Sequence, residues 1–128
     1  MATDGEPVTV LAVDDQPIFL RTASSLIAAT PGFEQVGQAT SGPEALALAA
    51  DLQPDLILVD VRMPGMDGFE TARRLASLDG DALVVLISVE DLPFAAPATP
   101  YVRKQDLSTR KLREVWSTHR GAARGAPR

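Results

Sequence analysis

Apolar and polar positions along this chain fall into short blocks whose period switches between that of a strand and that of a helix. The first block, Val8–Val13, is apolar and runs into Asp14-Asp15-Gln16-Pro17. Proline suits the first turn of a helix, so Pro17 opens one. That helix carries Ile18, Leu20, Ala23, Leu26 and Ile27 and stops at Pro31-Gly32. Phe33–Ala39 alternates weakly and reads as an outer strand. Ser41-Gly42-Pro43-Glu44 has the form of a capping box, with Ser41 as N-cap and Glu44 three residues on. The Ala/Leu-rich helix that follows ends before Pro54, whose predecessor Gln53 is pushed away from helical angles.

Residues 55–60 form the third strand. Its run Leu56-Ile57-Leu58-Val59 is apolar without alternation, the pattern of a central strand covered on both faces. After the turn Met63-Pro64-Gly65, Asp67 caps a third helix with Phe69, Ala72, Leu75 and Ala76 on one face and Arg73 and Arg74 in water. Asp79-Gly80 leads into residues 82–88, the fourth strand. Three and a half strand–helix units imply an α/β fold, a doubly wound parallel sheet with right-handed crossovers. Between residues 89 and 100 the alternation breaks, because Pro93, Pro97 and Pro100 leave no room for a helix of three turns. Tyr101-Val102-Arg103 reads as a short fifth strand. Ser108 caps a last helix with the stripe Leu112, Val115 and Trp116. One domain over 7–120 is expected. Residues 121–128, rich in Gly, Ala, Pro and Arg, read as a disordered basic tail or a linker stub.

Composition narrows the classes. With 128 residues, 45% hydrophobic and 23% charged, the chain fits one ordinary globular domain. It has no cysteine, which excludes disulfides and thiolate metal sites. The N-terminus lacks a basic, apolar leader pattern, and the longest hydrophobic run, 82–87, is far too short to span a bilayer. The expected compartment is the cytoplasm, with no membrane partner. Charge is uneven: residues 1–100 carry 4 Lys/Arg against 15 Asp/Glu, net −11, while residues 101–128 carry 8 against 2, net +6. The basic end reads as a solvated helix with a linker or as an interaction tail.

Four strand ends present polar groups on one edge: Asp14 and Asp15, Asp60, Ser88, and Lys104. Ligands of parallel α/β sheets sit beyond these carboxyl ends. Three carboxylates there repel by about 4 kcal/mol per pair at ~4 Å and an effective dielectric of ~20. A divalent cation removes that cost, and an all-oxygen donor set favours Mg²⁺, which completes its shell with water and phosphate oxygens. Lys104 and the Ser88 hydroxyl suit those oxygens, and one carboxylate can act as nucleophile toward a phosphoryl group. Taken singly, an acid at a strand end often caps the next helix, and a lysine in a basic stretch is usually solvated. The joint placement makes the chemical reading the better one. His119 stands among basic residues without a catalytic partner and reads as a surface residue.

Val13-Asp14-Asp15-Gln16-Pro17, Asp60-Val61-Arg62-Met63-Pro64-Gly65-Met66-Asp67-Gly68, Leu86-Ile87-Ser88 and Val102-Arg103-Lys104 resemble the receiver domain of two-component response regulators. The wording is most similar to regulators with a LuxR-type DNA-binding domain, and the resemblance covers about residues 8–119. It implies a flavodoxin-like five-stranded sheet of order 2-1-3-4-5. It implies Asp60 as phosphoacceptor, Asp15 as direct Mg²⁺ ligand, Asp14 as a second acid acting through water, and the backbone carbonyl of Arg62 as third protein ligand. Ser88 and Lys104 would contact the phosphoryl group, and Tyr101 would be the aromatic switch residue. The implied partners are a histidine kinase or phosphotransfer protein and a downstream protein, with a homodimer open. Such a chain catalyses only its own phosphoryl transfer and dephosphorylation, so it is not expected to be an enzyme. No helix-turn-helix follows residue 120, so no specific DNA binding is expected.

The chain departs from the family between Ser88 and Lys104. Receivers place a helix between the fourth and fifth strands; here it is expected to be shortened or absent. Val89 stands where the family has a small residue, and Arg62 and Glu90 are placed to pair beside the site. These features keep a second reading in view, a pseudo-receiver that binds partners without being switched by phosphate. An aspartyl-phosphate hydrolase is the third reading. It would need an Asp-x-Asp nucleophile after the first strand and a substrate cap, and Asp14-Asp15-Gln16 in a chain of this length supplies neither.

Overall fold

A computed structural model describes residues 6–78, 80–90 and 99–121. Five strands, β1 (Val8–Val13), β2 (Phe33–Ala39), β3 (Leu56–Asp60), β4 (Leu83–Ser88) and β5 (Tyr101–Arg103), pair in parallel in the order β2-β1-β3-β4-β5. The expected flavodoxin-like order is therefore the observed one, and the weakly alternating Phe33–Ala39 lies at an edge. Helices α1 (Pro17–Ala28), α2 (Gly42–Leu52), α3 (Gly68–Ala76) and α4 (Thr109–Trp116) cover the sheet, the fourth being short at eight residues. The expected loss of a helix between the fourth and fifth strands falls mostly on residues 91–98, outside the described residues; Val89, Glu90, Thr99 and Pro100 are not helical. The reading of residues 122–128 as a tail also lies outside them.

The core forms two layers. Leu11, Val13, Ile57, Val59 and Leu86 pack with Ala45 and Ala49 of α2 and Ala72 and Leu75 of α3. On the other face Val10, Leu56, Leu58, Val85, Ile87 and Val102 pack with Ile27 of α1 and Leu112 and Trp116 of α4. The unalternating apolar run of β3 follows from this burial on both sides. Asp55 precedes β3 rather than starting it, and its carboxylate accepts from the Thr9 backbone N–H at 2.9 Å, tying the lower sheet edge.

Helix ends follow their cap signals. Ser41, Asp67 and Ser108 each accept the backbone N–H three residues on. Glu44 reaches back to the N–H of Thr40 rather than that of Ser41, one residue outside the usual capping box. Two faces differ from expectation. On α3 the buried stripe is Gly68, Thr71, Ala72 and Leu75, while Phe69 and Ala76 are exposed. The helix begins at Gly68, so the i, i+3, i+4, i+7 series runs from the glycine. The Thr71 hydroxyl is satisfied inside by the Asp67 carbonyl at 2.8 Å. On α1 the buried positions are Leu20, Ala23 and Ile27; Ile18 is 70% exposed.

Candidate functional site: an acidic crevice closed by Lys104

Strand parity decides which groups meet. Asp14 extends the Val10, Ala12 alternation of β1, Asp60 that of Leu56 and Leu58, and Lys104 follows Val102 by two. All three leave the sheet toward the face covered by α1 and α4. Ser88 follows Leu86, and Tyr101 packs against the opposite core layer. Carboxylate oxygens of Asp14, Asp15 and Asp60 lie within 4.8 Å of one another. Asp14 is fully buried, Asp60 nearly so, and Asp15 half-buried.

The carboxylate of Asp14 has two tasks. Its Oδ1 accepts from the Gln16 backbone N–H at 2.8 Å, fixing the entry to α1, and its Oδ2 meets Lys104 Nζ at 2.8 Å. Lys104 Nζ also lies 3.2 Å from Asp60 Oδ1. Burial raises the Asp60 pKa above its ordinary value, Asp14 and then Asp15 add to the rise, and Lys104 opposes it. For Lys104 burial works against the charge, but contact with Asp14 and Asp60 outweighs it and the ammonium is held above its usual range. One ammonium facing three acids leaves negative charge in excess. That donor set suits a hard divalent cation, which takes oxygen ligands.

The loops after β3 and β4 frame these groups. Gly68 donates its N–H to the Val61 carbonyl at 2.8 Å, and α3 so presses on the end of β3 that a side chain at Gly68 would meet the Asp60 carbonyl oxygen at 2.2 Å. Glycine is required there for close approach. Arg62 Nη2 and Glu90 Oε1 pair at 2.5 Å, joining the two loops. The Glu90 N–H donates to Ser88 Oγ at 3.1 Å, while Val89 is 53% exposed.

Of the residues singled out by sequence, the structure thus gathers Asp14, Asp15, Asp60 and Lys104, and pairs Arg62 with Glu90. Ser88 is buried at its strand end with its hydroxyl engaged by Glu90, and Tyr101 is half-buried on the far face. Two residues escaped the sequence reading. Gly68 was visible only as the glycine after a helix cap. Phe19, whose ring lies under Lys104 Nζ at 4.5 Å, carries no spacing signal at all.

The family model for the response regulator receiver domain matches residues 10–100. Over 86 residues the chain is 40% identical to the nitrate/nitrite response regulator protein NarL of Escherichia coli K12, covering 67% of this chain and 40% of that protein. It is 32% identical over 127 residues to the transcriptional regulatory protein LiaR of Bacillus subtilis, covering 94% of this chain and 58% of LiaR. Thus the chain spans about two fifths to three fifths of the length of these relatives. Among solved structures, the signal receiver domain assigned to NarL of Mycobacterium tuberculosis superposes with a TM-score of 0.78 at 31% identity, covering 91% of this chain and 98% of that one.

Proposed function

The chain belongs to the response regulator receiver domain family, and from that premise we propose that it accepts a phosphoryl group on Asp60 and relays that state through protein contacts. The observation that carries this reading is the Lys104 ammonium bridging Asp14 and Asp60 inside a group of three carboxylates. The donor is a phosphohistidine on a histidine kinase or phosphotransfer protein. A carboxylate oxygen of Asp60 attacks phosphorus; the P–O bond forms as the donor P–N bond breaks, and the imidazole keeps the electron pair and takes up a proton.

Asp14, Asp15 and Asp60, with the Arg62 carbonyl, would hold Mg²⁺, which when bound supplies the positive charge that offsets the carboxylates and the phosphoryl oxygens. Lys104 places a second positive charge beside the acceptor oxygen. The Ser88 hydroxyl accepts from Glu90 N–H, so its own O–H remains available to donate to a phosphoryl oxygen. Burial of Asp60 limits water, and Tyr101, half-buried beside the strand that carries Ser88, is placed to report the change. The chemistry is confined to gaining and losing this group, so the chain is a switch rather than an enzyme with a separate substrate. Its setting is the cytoplasm; among the described residues no helix is long and apolar enough to cross a membrane.

The Arg62–Glu90 pair favours a second reading, a binding module of the same fold that keeps its acids but does not switch, because the pair ties together the loops a donor must pass. Incubation with acetyl phosphate and Mg²⁺ followed by intact-mass measurement separates the two. Uptake of one phosphoryl group by the parent and none by Asp60→Asn supports the acceptor. A parent that never takes it up leaves the binding module.

A further inference from the structure

Lys104 has a third neighbour besides its two carboxylates. Its ammonium nitrogen lies 4.5 Å from the centroid of the Phe19 ring. Phe19 stands in the first turn of α1, half-buried, and packs against both core clusters on that face of the sheet. The start of α1 is set by Pro17 and by Asp14 Oδ1 accepting the Gln16 N–H. The same turn therefore places the ring and the carboxylate that share Lys104.

We infer that Phe19 is a positioning residue for Lys104, its ring face holding the ammonium over the Asp14–Asp60 pair while that ammonium exchanges carboxylate partners for phosphoryl oxygens. The inference rests on the reading of Asp60 as phosphoacceptor. A lysine has three N–H donors and no acceptor, and its flexible four-carbon stem must be held for those donors to act at one place. The attraction of an ammonium to a ring face comes from the ring quadrupole and consumes no N–H. It therefore does not compete with the oxygens, and it persists unchanged while the hydrogen-bond partners change. Of the two carboxylate contacts, phosphoryl transfer alters the one to Asp60, which leaves the ring face and Asp14 to hold the ammonium in place. Lys104 is 18% exposed at its side chain, so the attraction is only partly screened, and its loss is expected to slow phosphoryl uptake about fivefold.

The test compares the parent with Phe19→Leu, Phe19→Tyr and a protein carrying trifluorophenylalanine at position 19, which keeps the ring shape but empties its face of negative charge. Rates of uptake from acetyl phosphate with Mg²⁺ and melting temperatures are measured for each. Phe19→Leu and the fluorinated protein are expected to slow about fivefold, and Phe19→Tyr to stay within about twofold of the parent. The Lys104 ε-methylene resonance should carry a ring-current shift in the parent and in Phe19→Tyr, and lose it in Phe19→Leu. A purely packing role would leave the fluorinated protein at the parent rate, which overturns the inference. A parental rate for Phe19→Leu, or an unshifted ε-methylene in the parent, also overturns it while leaving Asp60 as acceptor. A parent that shows the shift but never takes up phosphate overturns the acceptor reading, and the positioning role with it.

Discussion

Replacing Gly68 with alanine adds one methyl group where α3 leans on the end of β3. The new carbon would stand 2.2 Å from the Asp60 carbonyl oxygen and 2.6 Å from the Val61 Cα. Unstrained carbon contacts begin at ~3.5 Å, so the helix start and the strand end must part by about 1 Å. Overpacking of this kind costs ~1–3 kcal/mol, and alanine recovers at most ~1 kcal/mol through helix propensity. A net loss of about 1–2 kcal/mol lowers the melting temperature by roughly 4–10 °C. The effect on chemistry is larger, because the displaced atoms belong to Asp60 itself: a misplacement of about 1 Å costs on the order of 100-fold in rate. Gly65→Ala is the comparison. Gly65 has φ +74° and open space around it, so alanine there strains the backbone by about 1–2 kcal/mol without touching Asp60. Calorimetry and acetyl phosphate uptake with Mg²⁺ on both variants separate the two effects. Similar melting losses with a much larger rate loss for Gly68→Ala are expected. A Gly68→Ala protein with parental melting and parental rate would refute the close-approach argument.

Asp60→Asn should stabilise the fold. The Asp60 pKa is raised by burial and by Asp14 above 3.8, so the folded state binds its proton more tightly than the unfolded state. Its ionisation then costs stability as pH rises from 3.8 through the folded value, with the full cost above that. Without Mg²⁺, Asp60→Asn should melt higher than the parent at pH 7 and lose the advantage below the ordinary carboxylate range. A lower melting temperature at pH 7 contradicts this. The Arg62–Glu90 pair is largely exposed, 70% and 62%, so Glu90→Ala should cost at most about 1 kcal/mol in stability. By untying the loops, Glu90→Ala should speed both uptake and decay of the phosphoryl group, and Val89→Ala should act in the same direction. Unchanged rates in both variants remove the idea that these residues restrain access.

The fold was legible because the inner strands are largely apolar blocks and each helix opens on a capping residue or proline. Ser41, Asp67, Ser108 and Pro17 all stand where the helices begin. Asp60 and its companions were legible because a parallel sheet sends every strand end to one edge. Helix rotation was harder to read. Phe69 looks like a core residue by type, yet the starting point of α3 at Gly68 gives the buried place to Thr71, a polar side chain satisfied by a local carbonyl. The Arg62–Glu90 pair was legible from strand-end positions, but two other contacts left no sequence signal. Phe19 and Lys104 are brought together only because the first turn of α1 and the end of β5 open onto the same edge of the sheet, and Gly68 against Asp60 only by the tightness of one turn.

The central claim is that Asp60 carries the phosphoryl group. Borohydride reduction converts an aspartyl phosphate to homoserine, and peptide mass analysis then locates the position. After incubation with acetyl phosphate, homoserine at position 60, formed only with Mg²⁺ and absent in Asp60→Asn, is the expected result. Homoserine at Asp14 or Asp15, or none anywhere, would contradict the account.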